Sequence, residues 1–195
     1  TLEDRLLAHA LLGRKERSSN NGAAARREYQ KVLAAWADPV KAVRSISAGN
    51  GDDPAVLARL GQALNAVGEA LFAEGEIKRA KSVALKPPVY RGAPTDPGIK
   101  KHIQTAVADW LKKRRALDDE AERAYRKVLE LQPLPPPRWV IASSAQVGTM
   151  LEALPRELVR IPASPSIAKN PKFLAMYRAA LRDASEPTLN RAKQA

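Results

Sequence analysis

The spacing of apolar residues constrains this chain most, and it is helical along most of its length. Leu57, Leu60, Leu64, Val67 and Leu71 recur at alternating three- and four-residue steps, which places them on one helix face. Ile103, Val107, Trp110, Leu117, Ala121, Ala124, Val128 and Leu131 keep the same rhythm, interrupted by Arg114. A helix of about thirty residues is roughly 45 Å long, enough to pack along a partner as an antiparallel hairpin. Glu74-Gly75 predicts a kink or break, beyond which Ile77, Ala80 and Ala84 continue a stripe. Strand-forming residues gather only at Trp139-Val-Ile141. The expected class is all-α: antiparallel helical hairpins packed as a short α-solenoid or bundle with two long helices.

Proline and Asx residues punctuate these segments. Asp38-Pro39, Asp53-Pro54, Asp96-Pro97 and Asn170-Pro171 each place a capping oxygen before a proline, as a helix start requires. Pro87-Pro88, Pro94, the run from Pro133 to Pro137, Pro162 and Pro165 mark connections. One helical domain over 1–195 is expected, with a hairpin in 1–52, a long helical hairpin in 53–133 and C-terminal helices in 134–195. In the last part a helix should run from Pro137 to about Leu154, followed by an extended connection from Val159 to Lys169. Phe173, Leu174, Tyr177 and Leu181 predict a further amphipathic helix, and Ser185-Glu-Pro187 the start of another. The strip Pro133–Trp139 reads as a stiff connection anchoring Trp139 in the core, in preference to a polyproline ligand.

Chemistry-bearing residues are sparse. Cysteine is absent, which excludes disulfides, thiolate metal sites and cysteine nucleophiles. Neither His9 nor His102 has a histidine or carboxylate four residues on, so the helical zinc signature is missing. Asp118-Asp119-Glu120 and Glu122 are neighbours on one helix, where they cannot face each other across a cleft, and surface pairing with Arg123, Arg126 and Lys127 is expected. Ser143-Ser144 lacks a nucleophile elbow. The loop from Gly49 to Asp53 lacks both the lysine-serine end of a P-loop and the acid spacing of a calcium loop. No catalytic residue, metal ligand or cofactor is expected, and the chain reads as a non-enzyme. No stretch approaches the roughly 18 uninterrupted apolar residues of a membrane span. The start at Thr1 and the uncapped helical run at Thr188–Ala195 fit a piece of a longer protein.

Two segments align internally: Ala25-Arg-Arg-Glu-Tyr29-Gln-Lys-Val32-Leu33 and Ala121-Glu-Arg-Ala-Tyr125-Arg-Lys-Val128-Leu129, the second continuing to Pro133. Leu12-Gly13 precedes the first, across the turn residues Ser18-Ser-Asn-Asn-Gly22. Small residues let two helices approach, the aromatic fills the gap and the proline closes the unit. This pattern resembles the tetratricopeptide repeat, which implies a solenoid of helical hairpins that binds other proteins. Of that pattern the segment Leu57–Leu85 carries Leu60-Gly61. The strings Lys86-Pro-Pro-Val-Tyr-Arg-Gly92, Lys101-His-Ile-Gln-Thr-Ala-Val-Ala-Asp-Trp110 and Leu131-Gln-Pro-Leu-Pro-Pro-Pro-Arg-Trp-Val-Ile141 are similar to a module of large myxobacterial repeat proteins. That likeness implies a scaffold of the periplasm or cell envelope, with gliding-motility machinery as one setting.

The formal net charge of +12 suggests an acidic or anionic partner. The excess lies mainly in 76–101 and 138–195, and the tightest run, Lys112-Lys-Arg-Arg115, is answered by Asp109 and Asp118-Asp-Glu120. The first expectation is a scaffold that docks another protein, its groove lined by Arg14, Arg17, Lys112 and Arg115, an expectation drawn from repeat geometry. The alternative is a nucleic-acid or anionic-polymer face built from Lys78, Arg79, Lys81, Lys86 and Arg91. Nucleic acid is the less favoured partner, because a recognition helix and stacking aromatics are missing.

Overall fold

In the computed structural model, which describes residues 1–47 and 53–194, every regular element is helical. The order is α1 (Leu2–Ser18), α2 (Gly22–Ala35), α3 (Pro39–Ile46), α4 (Pro54–Ala84), α5 (Asp96–His102), α6 (Ala108–Leu129), α7 (Pro137–Val159), α8 (Pro165–Ala168) and α9 (Pro171–Gln194). A π-helical turn, Ile103–Val107, joins α5 to α6 without a gap. The all-α expectation holds, and no strand occurs among the described residues.

The Asx–Pro pairs start helices for the anticipated reason, with one displacement. Asp38 Oδ1 accepts from the Lys41 amide at 3.0 Å, Asp53 Oδ1 from Ala55 at 2.8 Å, and Asn170 Oδ1 from Lys172 at 3.0 Å. At Asp96-Pro97 the cap is instead Thr95, whose hydroxyl accepts from the Gly98 amide. Asp96 lies inside the first turn and pairs with Lys100 at 3.0 Å. Residues 49–52 of the loop from Gly49 to Asp53 lie outside the described residues.

Three expected interruptions are absent. Helix α4 passes through Gly75 unbroken, α7 through Pro155 and α9 through Pro187. The expected new start at Ser185-Glu-Pro187 is therefore the interior of α9. Each proline removes one backbone donor, yet Leu154 and Leu158 of α7 are buried in one core with Tyr177 and Leu181 of α9. Burial of those faces outweighs the lost bonds. The connection 160–170 also holds the short helix α8, where an extended segment was expected.

The chain divides into two compact units. The first comprises Thr1–Lys78 and Glu120–Ala145. The second comprises Arg79–Asp119 and the residues from Gln146 onward. In the first unit Leu6, Tyr29, Val32, Trp36, Leu60, Leu64 and Val67 form a continuous core. Leu57, placed in that stripe by spacing, is exposed. Helices α1 and α2 form a hairpin across the turn 19–21, where Asn20 takes a left-handed φ of 57°. Glu3 meets Arg59 at 3.7 Å and Arg14 meets Glu69, so α1 and α4 run in the same direction. The second unit buries Tyr90, Ile99, Val107, Trp110, Leu158, Ile161, Ile167 and Tyr177.

Candidate docking groove

The first unit carries an open apolar groove of about 300 Å³. One wall is Leu7, Ala10, Leu11 and Arg14 of α1, and the other is Gln62, Asn65, Ala66 and Glu69 of α4. Both sets follow the i, i+3, i+4, i+7 spacing of a single helix face, and the parallel course of the two helices sets them side by side. Arg138 and Trp139, at the start of α7, complete the lining. Proline accounts for that placement. Helix α7 begins at Pro137, Pro136 is buried, and Trp139 is buried against Phe72 with ring centroids 5.2 Å apart. The strip Pro133–Trp139 thus anchors its tryptophan as the structural reading expected.

One end of the groove is polar and tightly bonded. Glu69, 1% exposed, accepts from Arg14 Nη2 at 2.5 Å, from Arg14 Nε at 3.2 Å and from the Tyr29 hydroxyl at 3.0 Å. A buried carboxylate needs such compensation, and the charge of Arg14 is committed to it. Burial, then the negative charge of Glu69, pushes the Tyr29 hydroxyl up to about 12. Because its folded pKa lies above the unfolded value near 10, Tyr29 keeps its proton longer in the folded state. Its contribution to stability is therefore whole below about pH 10 and falls as pH rises from 10 to 12. Alkaline titration should show one fewer late phenolate in Tyr29→Phe than in the wild-type protein. Identical late titration in the two proteins would contradict this account.

Arg138 differs from Arg14. Its guanidinium carbon lies 5.0 Å from the centroid of the Trp139 ring, and among the described residues it holds no carboxylate. In the sequence it is overshadowed by the neighbouring Trp139, which reads as a core anchor. An arginine beside an aromatic at a helix start is the signal that was available.

The expected partner-binding residues fall in both units. Arg14 lines the groove, and Arg17 lies exposed one turn further along α1, close enough for its charge to act on the Tyr29 hydroxyl. Lys112 and Arg115 belong to the second unit, where Lys112 is exposed and Arg115 donates to Thr188 Oγ1 at 2.7 Å. Of the alternative face, Lys78 belongs to the first unit, while Arg79, Lys81, Lys86 and Arg91 belong to the second. Lys81, Lys86 and Arg91 are exposed, whereas Lys78 and Arg79 are half-buried.

No family model, curated protein or solved structure matches this chain.

Several other polar side chains meet within each unit. His9 Nδ1 lies 2.7 Å from Glu28 Oε2, joining α1 to α2. Burial pushes His102 below the ordinary histidine range, and its ring packs against Tyr90 at 5.1 Å. Asp118 of α6 and Glu157 of α7 come from different helices, and both pair with Arg114. That guanidinium donates to Glu157 at 2.6 Å and to Asp118 at 3.4 Å. Among the described residues no group of three or more metal-ligating side chains occurs. No described helix is long and apolar enough to cross a membrane.

Proposed function

We propose that this chain is a non-catalytic helical-repeat scaffold that docks another protein, with the groove between α1 and α4 as its docking site. The carrying observation is the pair of parallel helix faces that leave Leu11 58% exposed on the wall of an apolar groove. Grooves of a few hundred Å³ with sparse, placed polar groups suit ligand docking, and a groove between two helices accepts an amphipathic segment. The repeat reading is supported by a shared packing device. Tyr29 lies on Gly13, and Tyr125 lies on Gly75, each tyrosine from the aligned Ala-x-x-x-Tyr-x-Lys-Val-Leu segment. The setting proposed for the assembly, the cell envelope or gliding-motility machinery, rests on the resemblance of Lys86–Gly92, Lys101–Trp110 and Leu131–Ile141.

The test is capture of partners by wild-type protein and by Leu11→Glu. Leu11 is exposed, so the substitution should shift stability by no more than about 0.5 kcal/mol. A carboxylate on the groove wall should lower recovery of a specific partner by about tenfold or more. Equal recovery by both proteins would move the docking site elsewhere. Reversal of Arg14 is a poor test, because it would leave the buried Glu69 uncompensated and confound binding with folding.

A further inference from the structure

We infer that the groove takes an acidic amphipathic segment, with aliphatic side chains seated between α1 and α4 and a carboxylate received by Arg138. The inference rests on the docking reading above and adds the chemistry of the occupant. The apolar lining sets the first requirement. Leu7, Leu11, Ala66 and Trp139 offer carbon surface over about two helical turns, which matches aliphatic residues spaced i, i+4 on an incoming helix. The charges set the second. The single carboxylate in the lining, Glu69, is fully engaged by Arg14 and Tyr29. Arg138 is exposed, has no carboxylate among the described residues, and is held over the Trp139 ring. A guanidinium stacked on an aromatic is oriented in advance and keeps its hydrogen-bond fork open. Arg17, exposed beyond the Arg14 end, adds a second positive charge. An acidic segment is attracted to this surface, whereas a basic one meets uncompensated guanidinium groups.

This assigns different roles to two arginines that both line the groove. Arg14 is a structural partner of Glu69, and Arg138 is the residue that selects the ligand's charge. The experiment pans a displayed library of random short peptides against the whole chain, subtracting peptides that also bind Leu11→Glu. Enriched peptides are then synthesised and titrated against wild-type and Arg138→Gln protein by fluorescence anisotropy. The expected result is enrichment of paired aliphatic residues at i, i+4 together with Asp or Glu. Arg138→Gln should weaken those peptides about tenfold, with an unchanged melting temperature. Groove-dependent peptides without acidic residues, or acidic peptides indifferent to Arg138→Gln, would overturn the charge assignment and leave the docking site standing. No enrichment over Leu11→Glu would overturn both.

Discussion

Replacing Arg114 with alanine should destabilise the second unit by about 3–5 kcal/mol, the expected loss when one partner of a buried ion pair is removed. Arg114 is 2% exposed, and its guanidinium spans Glu157 on α7 and Asp118 on its own helix. Asp118 also accepts from the Ser82 hydroxyl of α4. Without Arg114 that carboxylate keeps one neutral donor in a largely buried place. Burial already raises its pKa, opposed by Ser82 and by Arg114. Since the folded pKa stands above the unfolded one, the folded state holds this proton more tightly. The contribution of Asp118 is then most favourable below the unfolded value near 4 and is lost as pH rises through the folded one. Arg114→Ala should widen that window, so part of its defect should vanish on acidification. Asp118→Asn in the same chain should recover part of it at neutral pH. Urea unfolding followed through Trp110, whose indole donates to Leu85 O at 3.2 Å within this unit, is the measurement. An Arg114→Ala loss below about 1 kcal/mol, or one insensitive to pH, would refute the account.

The interruption at Arg114 was visible in the sequence, and its meaning was not. A cation in an apolar stripe reads equally as a gap in the stripe or as a buried charge. Which reading applies depends on whether a distant chain segment supplies carboxylates. Glu157 does so from α7, and no local pattern in 108–129 announces it. The same limit explains the two prolines inside helices. Local rules treat Pro155 and Pro187 as stops, while the buried faces of α7 and α9 around Leu154, Leu158, Tyr177 and Leu181 carry each helix through. Helical period, by contrast, is a local property that burial reinforces. Leu60, Leu64 and Val67 were therefore legible as core, and Tyr29 and Tyr125 of the two aligned segments are both buried. The groove was only half legible. Arg14 could be named as a groove residue, but its engagement by Glu69 and the availability of Arg138 arise from side chains far apart in sequence.

Substituting alanine at Gly75 should destabilise the first unit by about 3 kcal/mol, although alanine is the better helix former by about 1 kcal/mol. A Cβ at Gly75 would stand 2.5 Å from Cδ1 of the Tyr125 ring, which is itself fully buried. That ring cannot retreat cheaply, because it packs against Phe72 at 5.6 Å and its hydroxyl donates to Glu76 at 2.5 Å. Gly61 provides the control. It carries the Leu-Gly pair that the repeat pattern singled out in this segment, yet a Cβ there meets nothing within 4 Å. Gly61→Ala should therefore stabilise, by up to about 1 kcal/mol through helix propensity alone. The packing counterpart of Gly13 is thus Gly75, and residues 79–119, assigned to the second unit, separate it in sequence from Ala121. An intervening segment of that length would take two matching tyrosine–glycine contacts out of any fixed sequence period. Opposite signs for the two alanine substitutions in thermal unfolding would establish Gly75 as the point of close approach. The same sign for both would mean that Tyr125 does not depend on the missing side chain, and the equivalence of the two tyrosine–glycine pairs would fall with it.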